Sequence, residues 1–151
     1  MIDSIISRLS DSSAGDTPWL SVEGLLDLSE LESRSQQRFP KLYVIELTEH
    51  ARPDVRGSGP ALQSLQAEIG VICLMSKRNG ACPSLWPLRE AVRSRLFGFV
   101  PQSGNNSDSS EGSQHGYEPL WLNGGGLLKI NAGHVAWLDK FMTEYTAQAA
   151  Q

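Results

Sequence analysis

The histidines are the residues of this chain best suited to metal binding or general-base chemistry. His50, His115 and His134 lie far apart in the sequence, and none occurs in a ligand spacing such as His-Glu-x-x-His. His50 falls at the end of a predicted strand, His115 in a polar segment and His134 in a predicted turn. We interpret all three as solvated side chains, and we predict no metal site.

Two pairs of carboxylates are close enough in sequence to suggest a shared acid–base site: Glu46 with Glu49, and Asp139 with Glu144. Both pairs fall in predicted strands, where successive side chains point to opposite faces of the sheet. The two members of each pair therefore point apart, which disfavours joint catalysis. We predict solvated strand faces at both places and no catalytic residue, so that the protein is not an enzyme.

The glycines and cysteines also lack the surroundings of a reactive site. Gly124–Gly126 is followed by Leu-Leu-Lys-Ile, whereas a phosphate loop leads into a helix, so the run predicts a bend or bulge. Gly57-Ser58-Gly59 is shorter than a nucleophile elbow. Cys73 and Cys82 are too far apart for a close zinc or redox pair, and we interpret both as structural thiols. No cofactor is predicted.

Length and composition indicate one ordinary globular domain. The chain has 151 residues, of which 40% are hydrophobic, and no apolar run approaches the roughly 20 residues of a membrane span. We expect a soluble single domain over residues 1–151 without membrane partners. The acid at position 3 and the missing apolar core of a signal predict cytoplasmic synthesis. The net charge of −4 argues against a general or sequence-specific nucleic-acid binder.

The N-terminal segment shows apolar residues at helical spacing, namely Ile2, Ile5, Ile6 and Leu9. A loop is predicted at residues 10–18 and a brief strand at 19–23, and the leucines at 25, 28 and 31 suggest a short second helix.

The central segment predicts two strands joined by a loop. Residues 43–48 alternate in the manner of a half-buried strand, and residues 65–75 form a longer strand whose second half is buried on both faces. Between them, residues 52–60 carry two prolines and two glycines, which predicts an exposed loop.

A helix follows, with Ser84 predicted as its N-cap, Pro87 in its first turn and Gly98 as its stop. Its predicted apolar stripe consists of Leu85, Leu88, Val92 and Leu96. Its remaining surface is predicted to be basic and carries Arg89, Arg93 and Arg95. Arg89 and Arg93 lie one turn apart and could bind a phosphate or a neighbour's carboxylates, although a solvated face is the simpler interpretation. If a charge here has a function, we expect a contact between subunits.

The C-terminal third predicts strands. Residues 102–116 contain no strongly apolar side chain, so we expect a mobile polar loop. Strand pieces at 120–122 and 127–130, separated by the glycine run, lead through a turn at 131–134 into the last segment. The spacing of its apolar residues suits a strand and a helix almost equally, and its β-branched and aromatic content favours a strand. The fold class is therefore α+β, a mainly antiparallel β-sheet flanked by a few α-helices in a single layer.

The large aromatic residues exceed what a small sheet can cover. Trp19, Trp86, Trp121 and Trp137 should mostly be core. Part of the surface formed by Phe97, Phe99 and Trp121 is expected to remain for a partner.

The order of several short motifs resembles the tail terminator (tail completion) proteins of long-tailed bacteriophages. These motifs are Ile5-Ile-x-Arg-Leu9, Val22-Glu-Gly-Leu-Leu-Asp-Leu28, Tyr43-Val-Ile-Glu-Leu47, the long strand at 66–75, Leu88-Arg-x-x-Val-x-x-x-Leu-Phe-Gly-Phe-x-Pro101 and the closing Trp137-Leu-Asp-x-Phe-x-Thr-x-Tyr145. The resemblance covers most of the chain, although residues 102–116 are longer than the family leads us to expect.

The resemblance implies a structural virion protein of the tail and neck, assembled in the host cytoplasm. It implies a ring of identical subunits, usually hexameric, that caps the tail tube, stops its polymerisation and joins the tail to the head connector, with DNA passing through. On this basis the loop with Arg52, Asp54 and Arg56 is expected to face the tube or lumen, and Arg89 and Arg93 to meet a neighbouring subunit. Another neck component, such as a head-closure or adaptor protein, remains the alternative, and a small-molecule enzyme is the more distant one.

Overall fold

The computed structural model describes residues 1–15, 17–33, 39–54, 57–59, 61–77, 83–103, 116–131 and 133–148. Its helices are α1 (Ile2–Ser10), α2 (Glu30–Ser33) and α3 (Trp86–Leu96), with a 3-10 turn at Ser12–Ala14. Its strands are β1 (Ser21–Leu25), β2 (Lys41–Ala51), β3 (Leu62–Ser76), β4 (Trp121–Asn131) and β5 (His134–Gln148).

The five strands form one sheet in the order β1-β2-β3-β5-β4. β1 runs parallel to β2, and every other neighbouring pair is antiparallel. The predicted α+β class with a mainly antiparallel sheet is thereby confirmed. The alternating segments predicted as strands correspond to β2, β3 and β5, which occupy the middle of the sheet.

The three central strands extend past both edge strands at one end of the sheet. The β1 ladder ends where Leu25 pairs with Ile45, and the β4 ladder begins where Trp121 pairs with Met142. Beyond these points, residues 48–51, 62–67 and 143–148 continue as a three-stranded extension, which we call the arm.

The two longer helices, α1 and α3, pack on one face of the sheet, called here the helix-bearing face. Side chains of β2, β3 and β5 that alternate along the strands meet the apolar stripes of both helices there. The buried residues of this cluster are Ile5, Leu9, Trp19, Leu42, Val44, Ile69, Val71, Cys73, Leu88, Val92, Leu96, Leu120 and Phe141.

The opposite face carries a second apolar cluster, to which the one-turn helix α2 contributes Leu31. Leu42 to Ile45 of β2 are all buried, so the expected half-buried strand is covered on both faces. Gly70 belongs to this tight packing, because a Cβ there would lie 2.7 Å from Leu138 Cδ1 and 3.0 Å from Ile45 Cγ2. The remaining members are Leu25, Tyr43, Ile72, Leu74 and Ala136.

The segment between α1 and β2 differs from its prediction. The brief strand expected at 19–23 lies at Ser21–Leu25, because Leu25 pairs with Ile45 and is buried rather than starting a helix. The expected second helix is reduced to Glu30–Ser33, and Leu28 lies in an exposed turn.

The start of α3 also differs from its prediction. Ser84 does not cap the helix: the N-cap is Leu85, which makes no side-chain capping bond, and the Leu85 carbonyl accepts from the Arg89 amide at 3.0 Å. Pro87 lies in the first turn as predicted. The helix ends at Leu96, and Gly98 follows at φ 79°, a conformation that favours glycine.

Arg95 is the clearest error in the helix prediction, because it is 5% exposed rather than solvated. Its Nη1 donates to the carbonyls of Arg8 at 3.1 Å and Asp11 at 2.7 Å, and its Nη2 donates to the Gly15 carbonyl. A guanidinium thus satisfies carbonyls at the end of α1, where a helix has no internal donors left, and joins α1 to α3.

Two backbone bonds join the end of α3 to the start of β4. The Gly98 amide donates to the Leu120 carbonyl at 2.8 Å, and the Leu120 amide donates to the Phe99 carbonyl at 2.8 Å. We call this pair of bonds the clamp. Most of the predicted mobile loop at 102–116 lies between these points and outside the described residues.

β4 is one strand rather than two pieces, and its register shifts between Leu122 and Gly125, at the predicted bulge.

Candidate functional site

The strongest polar cluster of the described chain surrounds Asp139, on the helix-bearing face of β5. Asp139 is fully buried, and Arg93 reaches it from α3 with Nε 3.1 Å from Oδ2 and Nη2 2.7 Å from Oδ1. The Trp137 indole donates to the same Oδ1 at 2.8 Å. A two-bonded arginine–carboxylate pair with a further donor compensates the desolvation of the charge. The hydrogen bond to Asp139 raises the pKa of Arg93.

Gly125 of β4 provides the space for this carboxylate. A Cβ at position 125 would lie 2.6 Å from Asp139 Oδ1, 2.8 Å from the Leu138 carbonyl and 2.8 Å from Trp137 Nε1. The adjacent Gly126 has nothing within 4 Å of its hypothetical Cβ. Gly125 is therefore required by space, since it lets the edge strand close over a buried charge, and Gly124 is favoured by its backbone conformation at φ 112°.

Arg89, one turn before Arg93, lies flat against aromatic rings. Its guanidinium carbon is 3.6 Å from the centroid of Trp137 and 5.3 Å from that of Trp86. Trp86 is 54% exposed. Leu127, 64% exposed, pairs with Trp137 across the ladder and so shares its face. We call Trp86, Arg89, Leu127 and Trp137 the aromatic surface, which lies on the β4 side of the sheet.

These positions correct two expectations. Asp139 does not lie on a solvated strand face, and Arg93 has a carboxylate partner within its own chain. A contact of Arg89 and Arg93 with a neighbouring subunit stays a prediction, and Arg89 is the one of the two that forms no ion pair with a carboxylate in the described chain. Gly125 and Trp137, which the sequence did not single out, complete the cluster.

The opposite edge of the sheet presents exposed leucines. Leu26, which directly follows β1, is 95% exposed, and Leu20 and Leu28 are also exposed. The turn is held in place, because Glu30 Oε1 accepts from the amides of Leu26 and Asp27 at 3.2 Å each. We call residues 26–28 the leucine loop.

The leucine loop is further fixed by its own aspartate. Asp27 Oδ1 accepts from the Ser29 amide at 2.9 Å, and the Asp27 carbonyl accepts from the Glu30 amide at 3.1 Å. Asp27 itself is exposed. The loop therefore presents two apolar side chains and one carboxylate on a pre-formed backbone.

The arm positions the other predicted residues. Arg52 Nη2 lies 3.7 Å from Glu144 Oε2, and the Arg52 amide donates to the Ser64 carbonyl at 2.9 Å. Asp54 Oδ2 accepts from the Leu62 amide at 3.0 Å, which closes the β2–β3 connection. Arg56 lies outside the described residues. The expected role of this loop at the tube or lumen stays a prediction.

Glu144 and Tyr145 form the polar contacts along the arm. Glu144 accepts from the Ser64 hydroxyl and from Gln66 Nε2, and these hydrogen bonds lower its pKa. The Tyr145 hydroxyl donates to Glu49 at 2.5 Å, and burial together with this carboxylate raises the tyrosine pKa.

Other candidates for chemistry are dispersed. His50 is exposed on β2, His134 packs 4.7 Å from Phe39 by ring centroids, and His115 and Cys82 lie outside the described residues. Cys73 is buried, and the desolvation raises the pKa of its thiol to about 12. Across the described residues, no three His, Cys, Asp or Glu side chains are arranged to hold a metal ion.

The aromatic residues expected at a partner surface divide into two groups. Phe97 is 68% exposed, whereas Phe99 and Trp121 are partly covered. Phe99 packs against the core of the helix-bearing face and lies beneath the Arg8 guanidinium, 5.5 Å from its ring centroid. Phe97 is therefore the member of the group that remains fully available to a partner.

An open groove of about 470 Å³ lies beside the start of α1, lined in part by Asp3, Arg8, Phe99 and Ser103. No helix of the described chain is both long and apolar enough to span a membrane.

Comparison with known proteins agrees with this geometry. No curated protein matches the chain. The family model described as phage tail terminator protein matches residues 4–151, which is nearly the whole chain. The chain belongs to the phage tail terminator family and is a structural protein of the bacteriophage tail.

Proposed function

We propose that copies of this chain close into a hexameric ring that caps the tail tube, stops its polymerisation and joins the tail to the head connector. In this proposal residues 1–151 act as one domain without catalysis, and assembly takes place in the host cytoplasm. The family supplies the tail location, and the surfaces of the subunit support the ring.

The observation that carries the ring is the placement of exposed apolar residues at both edges of one sheet. The leucine loop follows edge strand β1, and the aromatic surface includes Leu127 of edge strand β4. Two different surfaces on opposite sides of a subunit allow head-to-tail contacts, which close into a ring when the rotation between copies completes a turn. Exposed apolar side chains that form a contiguous patch mark interfaces more often than isolated ones do.

The arm supports contact with a different partner. It projects beyond both edge strands and carries the carboxylates Glu49 and Glu144, and the connection from β2 to β3 at its end carries Arg52 and Asp54. Charged rims favour recognition and orientation more than raw affinity. We place the arm, with Arg52, Asp54 and Arg56, against the tube or lumen. The net charge of −4 disfavours adhesion to DNA passing through the ring.

Electron microscopy of purified protein mixed with tail tubes tests this function. We expect rings at one end of each tube, and tubes assembled with the protein should stop growing when monomer is added. Uncapped tubes that continue to grow would contradict it. Binding to filled heads instead of tubes would identify the alternative neck role.

A further inference from the structure

The ring requires two surfaces of one subunit to fit each other, and the leucine loop and the aromatic surface have matching chemistry. The loop exposes Leu26 and Leu28 around the Asp27 carboxylate. The aromatic surface exposes Trp86 and Leu127 around a stacked guanidinium. One surface therefore joins apolar groups to an anion, and the other joins apolar groups to a cation.

Arg89 has unused capacity for such a contact. Within the described chain no carboxylate forms an ion pair with Arg89. Arg93, its neighbour on the helix, is already bonded to Asp139. Stacking between rings fixes the Arg89 guanidinium, so a carboxylate could bind it with little loss of side-chain freedom.

We infer that the leucine loop of one copy seats on the aromatic surface of the next copy, with Asp27 paired to Arg89. The occupant is thus a second copy of this chain. This inference rests on the proposed ring and names the residues that join its subunits. Leu26 packs against Trp86 and Leu127, and the rigid loop limits the entropy lost on binding.

Cysteine cross-linking tests the pairing directly. Leu26→Cys and Leu127→Cys are made as separate chains in a Cys82→Ser background, where Cys73 is buried, and the two are mixed with a short bis-maleimide. We expect a heterodimer in the mixture and a ladder of oligomers from a chain carrying both cysteines. Val100→Cys, another exposed apolar position, replaces Leu26→Cys in the control mixture. A heterodimer yield no higher than this control would overturn the inference.

A charge exchange tests the ionic contact in the same assay. Arg89→Glu should lower the heterodimer yield roughly tenfold by opposing two carboxylates, and adding Asp27→Lys on the partner chain should restore it. If circular dichroism shows that both chains are folded and the heterodimer yield does not recover, the Asp27–Arg89 pairing is overturned. Tube capping by the unaltered protein is measured in parallel. Normal capping without the cross-link would reject this interface and leave the proposed function standing, whereas absent capping would reject the proposed function itself.

Discussion

Two arginine–carboxylate pairs involve the same strand, β5, and differ in everything except their chemistry. Arg93 and Asp139 meet beneath α3 with a contact of 2.7 Å, and the side chain of Asp139 is 0% exposed. Arg52 and Glu144 meet on the arm at 3.7 Å, and the arginine is 56% exposed. The first pair is part of the core, and the second is part of a solvated surface.

The difference shows what covers each part of the molecule. In the body of the sheet, α3 and the glycine run exclude water, so the carboxylate depends on three protein donors. On the arm, water can replace any partner, so the pair is weakly held and free to meet another molecule. The body therefore carries a buried pair that stabilises the fold, whereas the arm carries an exposed pair that, in the proposed function, meets the tube or lumen.

Removing one partner of the buried pair should have the largest effect. Arg93→Met leaves Asp139 buried without a counter-ion, and we expect a loss of about 3 kcal/mol in the free energy of unfolding, measured by urea denaturation. The double variant Arg93→Met/Asp139→Asn should recover part of this loss, because the amide oxygen can still accept from Trp137. A single variant as stable as the unaltered protein would show that the pair is not a structural element.

Closing the space above Asp139 should have the next largest effect. Gly125→Ala forces the Cβ against the carboxylate and a backbone carbonyl, and we expect a loss of about 1–3 kcal/mol by thermal or urea unfolding. Gly126→Ala, with no neighbour within 4 Å, is the matched control and should change stability far less. Equal effects of the two alanines would mean that general strand flexibility, rather than the carboxylate, explains the glycines.

Breaking the exposed pair should have a small effect on folding. Arg52→Gln is expected to leave the urea midpoint unchanged within error at physiological salt, because water solvates both partners. Its effect should be visible instead as weaker tube binding in a pelleting assay. A clear loss of stability would show that this exposed pair stabilises the fold, as the buried pair does.

The smallest expected effect concerns Cys73, on the helix-bearing face. In a Cys82→Ser background the folded protein should not react with iodoacetamide at pH 7 or at pH 9, because burial raises the thiol pKa to about 12. Because the thiol pKa is higher in the folded protein than in the unfolded one, the folded thiol stays neutral between pH 7 and pH 9. The rate of labelling should therefore rise with pH only after the protein is unfolded in urea. Rapid labelling of folded protein at pH 9 would show that the reagent reaches the core of the helix-bearing face.

The sequence predicted the elements whose side-chain period is clean. β2 and β3 alternate, and α1 and α3 have apolar stripes, so these four were placed within a few residues. The spacing in β5 suits a helix almost as well, and its composition and the preceding turn favoured the strand that the structure has. The failures lie where one tertiary contact outweighs local pattern. Leu25 joined a strand because Ile45 was available to pair with it, which no local spacing reveals.

The candidate site was only partly predictable. Arg89 and Arg93 stood out as neighbours on a helix, but their partners Trp137 and Asp139 come from β5, which packs there only in the folded chain. A usable signal was nevertheless present. Asp139 alternates with Trp137 and Phe141 on an apolar face, and Arg95 is seven residues after Leu88 on the helix stripe, so both charged residues stood at core positions.

The clamp between Gly98 and Leu120 has a practical consequence for studying assembly. Because the chain leaves and re-enters the body at nearly the same place, the entropy of closing this excursion grows only slowly with its length. Extra residues introduced between Ser103 and Gly116 should therefore leave the sheet intact. This position is the natural one for an affinity tag or a fluorophore that follows single particles during virion maturation.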